Sequence, residues 1–232
     1  MKPLFLFITL MLTLLAKDVS TEPFKKLAPF KHPNIISIDR AYDHGSLYEV
    51  IFTALTNQGS KRISSFLTKD KKVIIYGQAV DIKKQAQLRI PLDLAKIKKE
   101  ADIVFGSGKP AYIVITDPEC RYCQVFQRKW KAFEKKFTLY VYMYPLSNHA
   151  QAEQMSFYVM NQKGNKAKAN ALIGISNDEK AYSKFKVSEK QRKKLYEKFA
   201  KNSALGDELG VRGTPAVFDL KGNPVNWQTL VK

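Results

Sequence analysis

The two cysteines of this chain, Cys120 and Cys123, lie in the stretch TDPECRYCQVF, residues 116–126. Two residues separate them, which on a helix is about one turn. Such a pair serves metal ligation, a structural disulfide, or reversible thiol–disulfide exchange. Structural zinc takes four ligands, usually two such pairs or one pair with two histidines. The three histidines, His32, His44 and His149, are scattered and share no ligand spacing, so no metal and no other cofactor is expected. A disulfide that spans two residues closes a very small loop and removes little unfolded-state entropy. Thiol exchange needs a strand that ends just before the pair and a helix that starts at it.

The neighbouring residues supply both. Ala111 to Thr116, AYIVIT, is a continuous apolar run, as expected for a strand buried on both faces. After the cysteines, Val125, Phe126, Trp130, Phe133 and Phe137 recur at helical spacing. Cys120 is then placed on the first turn of a helix, where unpaired N–H groups and the helix dipole favour a thiolate. Cys123 lies one turn further in, less exposed, and is placed to attack a mixed disulfide formed at Cys120. Arg121 adds a cation that should lower the Cys120 pKa further, and Glu119 opposes it. Tyr122 either packs beside the site or is an ordinary surface aromatic.

The chain has 232 residues and a formal net charge of +18, enough for one large domain or two small ones. The lysines are spread along the chain, and the densest runs, 96–99 and 190–194, fall in helical patterns, as a solvated face would. No nucleic-acid-binding motif accompanies the charge, so no specific nucleic acid is expected. Lys2, the apolar run Pro3 to Leu15 and the small Ala16 form a signal-peptide pattern. Export to an oxidising compartment follows from it. Leu47 to Leu55, Arg62 to Leu67 and Val73 to Tyr76 read as strands of a small antiparallel sheet. A helix is expected after Pro91 and a structural break at FGSGKP. TLYVYMY is a further strand, followed by helices from His149 to about Lys201, with Ser188 as an N-cap. GTPAVFDLKGNPVN reads as two strands about a turn at Lys221–Gly222–Asn223.

Thr214–Pro215 followed by AVF resembles the Thr–cis-Pro loop of thioredoxin-fold proteins. Together, TDPECRYC, YVYMYP, the helical stretch and LGVRGTPAVF resemble the DsbC/DsbG family of periplasmic thiol–disulfide isomerases. FLTKDKKVIIYGQAVDI is similar to the strand–turn–strand of that family's N-terminal domain. The resemblance implies an α+β chain. Its parts would be a signal peptide over 1–16, a small cystatin-like dimerisation domain over 17–84, a linker helix over 85–106 and a thioredoxin-like catalytic domain over 107–232. A helical insertion would occupy about 148–205. It also implies a homodimer, Cys120 as attacking thiolate, Cys123 as resolving thiol, and Thr214 with Pro215 as the substrate-binding loop. The implied partners are unfolded or misoxidised exported proteins and a membrane thiol reductase as electron donor. Arg121 departs from the small or proline residue usual between such cysteines. Val114 stands where thioredoxins place a buried carboxylate. A net dithiol oxidase, a sulfenic-acid reductase and a non-enzymatic holdase chaperone remain as alternatives.

Overall fold

The computed structural model describes residues 16–56, 59–83, 86–88 and 92–231. All of the expected signal peptide except Ala16 lies outside the described residues, as does Pro91. The chain divides into two compact units, Met1–Pro91 and Leu92–Lys232. The architecture is α+β, with a sheet unit followed by a sheet-plus-helix unit.

The first unit holds β1 (Lys17–Val19), α1 (Glu22–Lys25), a 3-10 turn (Ala28–Lys31), β2 (Ile35–Asp43), β3 (Leu47–Thr56), β4 (Gly59–Thr68) and β5 (Ile74–Tyr76). The five strands pair in chain order, all antiparallel. Alternate residues of β3, Val50, Phe52 and Ala54, join Ala41 and Leu67 in a core closed by Phe24 and Phe30. That is the period-two pattern of a sheet with one face on a core. His44 is no surface histidine: its Nε2 sits 2.8 Å from Glu49 Oε2, both side chains nearly enclosed. Ser64 Oγ donates to the other Glu49 oxygen at 2.6 Å. A short ribbon of β6 (Val80–Asp81) and β7 (Ala86–Gln87) follows.

The linker helix expected over 85–106 is confined, among the described residues, to α2 (Leu94–Glu100). Asp93 caps it by accepting Lys96 N–H at 3.0 Å. The chain then turns back as β8 (Ile103–Phe105), a strand the sequence reading did not contain. Ile97 is buried in the second unit's core, so α2 belongs to that unit.

The remaining elements are β9 (Ala111–Thr116), α3 (Arg121–Arg128), β10 (Thr138–Met143), α4 (Ala152–Met160), α5 (Gly164–Gly174), α6 (Glu179–Ser183), α7 (Glu189–Leu209), β11 (Ala216–Asp219), β12 (Pro224–Val225) and α8 (Trp227–Leu230). Sheet order is β12-β11-β9-β10-β8. Only β9 and β10 are parallel; the other pairs are antiparallel. Central strand β9 shows why its sequence is apolar throughout. Val114 points into a core with Phe126, Trp130, Val141, Phe157 and Leu172. Ile113 and Ile115 point into a second core with Ile97, Tyr142, Leu209 and Phe218. Helices thus cover both faces of the sheet, and the apolar burial on each side is the main stabilising term.

Two polar devices lock this arrangement. Asp102, buried at the start of β8, accepts Met143 N–H at 2.8 Å and Asn202 Nδ2 at 2.6 Å, and faces Lys198 Nζ at 3.2 Å. It ties α7 to the end of β10. At the other end of the sheet, the FGSGKP break packs on the turn before β10. A Cβ on Gly108 would lie 2.2 Å from the Lys136 carbonyl carbon and 2.4 Å from the Lys135 oxygen. Both are backbone atoms and cannot move aside cheaply. Gly108→Ala is therefore expected to cost on the order of 2 kcal/mol, read as a lowered Tm. An unchanged Tm would show that the turn yields freely.

Candidate active site

The site is assembled at the carboxyl end of β9. The strand stops at Thr116, and α3 starts at Arg121 with Cys120 as its N-cap. Asp117 makes the turn between them: its Oδ1 accepts the N–H of Glu119 at 2.7 Å and of Cys120 at 3.1 Å. Its Oδ2 accepts Leu146 N–H at 2.7 Å and lies 3.1 Å from His149 Nδ1. Asp117 is fully enclosed. One buried carboxylate thus fastens the cysteine turn to the segment after β10. Glu119 adds a second tie, accepting Gln151 N–H at 2.6 Å.

The other wall comes from the end of α7. Ser188 starts that helix with a full capping box. Gly210 ends it at φ 71°, a left-handed conformation open to glycine at no steric cost. The chain then crosses to β11, whose Ala216 pairs with Ile115 of β9. That register brings Thr214 beside Cys120, whose Sγ lies 3.3 Å from the Thr214 carbonyl oxygen. The Thr214–Pro215 peptide is cis.

The two sulfurs are unequal. Both thiols are free; Cys120 is 8% exposed and Cys123 fully enclosed. Hydrogen bonding from the Cys123 thiol, then from the Thr214 side chain and the N–H groups of Cys123 and Tyr122, holds Cys120 down at about 5, against the opposing effect of burial. Burial, reinforced by that same bond to Cys120, pushes the Cys123 thiol far up. The surroundings thus drive the two thiols apart, Cys120 toward the thiolate and Cys123 toward the protonated form. Thr214 Oγ1 is buried and without a hydrogen-bond partner, so its hydroxyl is available to the neighbouring sulfur. Thr214→Val should raise the midpoint of Cys120 alkylation with pH. An unmoved midpoint would remove Thr214 from this role.

The structure brings Cys120, Cys123 and Thr214 together, with Pro215 next in the same loop. Arg121 and Tyr122 point outward, and the Tyr122 ring is 65% exposed. Tyr122 acts on the sulfur through its backbone N–H, while Arg121 is not among the leading groups that lower the thiol. Sequence reasoning missed Asp117 and His149. The available signal was an Asp-Pro directly after a buried strand, a common way to start a turn. Among the described residues no three of His, Cys, Asp or Glu converge as metal ligands do.

Comparison with known proteins places this geometry in a family. The Thioredoxin-like domain family matches residues 97–229, more than half of the chain. No curated protein matches. Among solved structures, a disulfide interchange protein from Neisseria gonorrhoeae is 21% identical with TM-score 0.42, over 53% of this chain and 83% of that one. Helicobacter pylori DsbG is 16% identical with TM-score 0.42, over 80% and 93%. The catalytic domain of Proteus mirabilis ScsC is 18% identical with TM-score 0.40, over 59% and 92%. Likenesses at this level carry no argument about activity. A redox-capable Cys-x-x-Cys pair on a strand–helix junction and the profile match over 97–229 lead to one assignment: the chain belongs to the thioredoxin-like family.

Proposed function

We propose that this protein catalyses thiol–disulfide exchange on exported proteins, isomerising or reducing non-native disulfides. The observation that carries the reading is the unequal placement of the two sulfurs, with Cys120 at the N-cap of α3 beside the Thr214–Pro215 loop and Cys123 fully enclosed behind it. Cys120 thiolate attacks one sulfur of a client disulfide; that S–S bond breaks, a mixed disulfide forms, and the released client thiolate takes a proton from water. A second client thiol then displaces Cys120, which is isomerisation. Alternatively Cys123 attacks Cys120, its proton passing to the departing client thiolate, which releases a reduced client and leaves the Cys120–Cys123 disulfide. A membrane thiol reductase would restore the dithiol. The Thr214–Pro215 loop would hold the client chain beside the sulfur.

The finer features go together with this reading. The signal-peptide pattern and the oxidising compartment it implies support a periplasmic location. The antiparallel first unit, taken as a cystatin-like dimerisation domain, would pair two protomers; sedimentation that finds only monomer would remove that part. A net dithiol oxidase is the second reading. The lowered Cys120 thiol favours it, because a stabilised thiolate stabilises the reduced pair and makes the disulfide more oxidising. Refolding of a scrambled multi-disulfide protein, beside the redox potential of the pair, tests both. Recovery of native disulfides without net oxidation supports isomerisation. Oxidation of reduced client without reshuffling supports the oxidase. Neither activity would overturn the exchange reading and leave a holdase.

A further inference from the structure

We infer that the site selects client sulfurs flanked by carboxylates, such as cysteines in acidic peptide segments. This rests on the exchange reading above and concerns which substrates enter the same site. Two arginines flank Cys120 from opposite walls. Arg121 is the next residue on α3, and Arg212 lies two residues before Thr214, whose carbonyl is 3.3 Å from the sulfur. Both arginines are exposed. Among the described residues neither guanidinium forms an ion pair.

The carboxylates close to the sulfur in sequence are turned away from solvent or held elsewhere. Asp117 is fully enclosed and accepts three backbone N–H groups beside its contact with His149. Glu119 is half-buried and held by Gln151 N–H at 2.6 Å. Beside Cys120 the exposed side chains are therefore Arg121 and Tyr122, with Arg212 on the loop before Thr214, while the exposed carboxylates Asp207 and Glu208 stand further back at the end of α7. A client bearing carboxylates near its disulfide meets attraction where a lysine-flanked client meets repulsion. A chain of net charge +18 adds a long-range pull of the same sign, and salt weakens both.

The test uses the full chain with Cys123→Ser, so that the first mixed disulfide on Cys120 accumulates and its rate of formation is read. Three small disulfides serve as probes: dithiodipropionate (anionic), hydroxyethyl disulfide (neutral) and cystamine (cationic). The anionic probe should react about tenfold faster than the cationic one after correction for their intrinsic reactivity with a free thiol. Adding Arg121→Gln and Arg212→Gln should bring that ratio close to one. The control is Lys135→Gln with Lys136→Gln, which removes the same net charge at the opposite end of the sheet, beside Gly108; it should leave most of the ratio in place. Equal rates for all three probes would overturn the inference alone. An equal loss of selectivity in the lysine control would also overturn it, since the effect would then belong to global charge. No reaction with any probe would overturn the exchange reading and this inference with it.

Discussion

Cys120→Ser is expected to abolish exchange, a loss on the order of 10³-fold or more, while Cys123→Ser leaves a protein that captures a client and stays bound to it. The asymmetry follows from the geometry. Cys120 is the N-cap of α3, with Thr214 and the N–H groups of Tyr122 and Cys123 stabilising its anion. Cys123 is enclosed and keeps its proton. In the intact chain, alkylation of Cys120 should rise with pH to a plateau, with a midpoint at about 5. A midpoint in the ordinary thiol range would remove the basis for assigning the attack to this sulfur.

The same ionisation fixes a pH dependence of stability. The folded reduced form holds the Cys120 proton more weakly than an unfolded thiol, whose value is 9.0. Its stabilising contribution is fully present above the unfolded value and is lost as pH falls through about 5. Denaturant unfolding of the reduced protein, compared with Cys120→Ser, should show the difference shrinking from pH 9 to pH 5 and vanishing below. A difference that grows on acidification would contradict the assigned ionisation.

Asp117→Ala is expected to lower stability by about 3 kcal/mol and to slow Cys120 alkylation at neutral pH by about tenfold. The carboxylate is buried and satisfies three backbone donors, at Glu119, Cys120 and Leu146. Alanine leaves the Glu119 and Leu146 N–H groups unpaired and Cys120 N–H with only its longer bond to the backbone oxygen of residue 117, and the turn that points Cys120 at Thr214 loses its fastening. Asp117→Asn should fall between the two, since an amide offers one acceptor oxygen and brings a donor face to face with an N–H. His149→Gln keeps a polar group toward Asp117 and should cost far less. Equal losses for His149→Gln and Asp117→Ala would move the fastening role from the backbone donors to the histidine pair.

Much of this site was legible before any coordinates. The apolar run over 111–116 is a strand buried on both faces, because its side chains feed separate cores on the two sides of the sheet. Ser188 caps its helix as its position suggested. Local pattern was enough in both cases, since strand period and cap chemistry act over a few residues. Reading 85–106 as one helix went astray for a longer-range reason. Apolar residues at helical spacing continue past Glu100, yet Asp102 and Ile103 gain more by joining β10, where the Asp102 carboxylate meets Met143 N–H and Asn202. FGSGKP was visible as a break, while its close approach to the backbone at 134–137 was not.

The resemblance to thioredoxin-fold proteins implied a Thr-Pro step facing the cysteines; from the sequence alone come the pairing of two thiols one turn apart, the strand before them and the helix after them. These depend on spacing and residue type, which a linear chain states directly. The tertiary fold decided what surrounds Cys120 and what holds it in place. Cys120 and Thr214 are 94 residues apart in the chain, and Asp117 meets Leu146 and His149 across 29 and 32. Hydrogen bonds and burial of that kind arise only once the sheet has aligned its strand ends, because a thiol's acidity depends on what surrounds it in space.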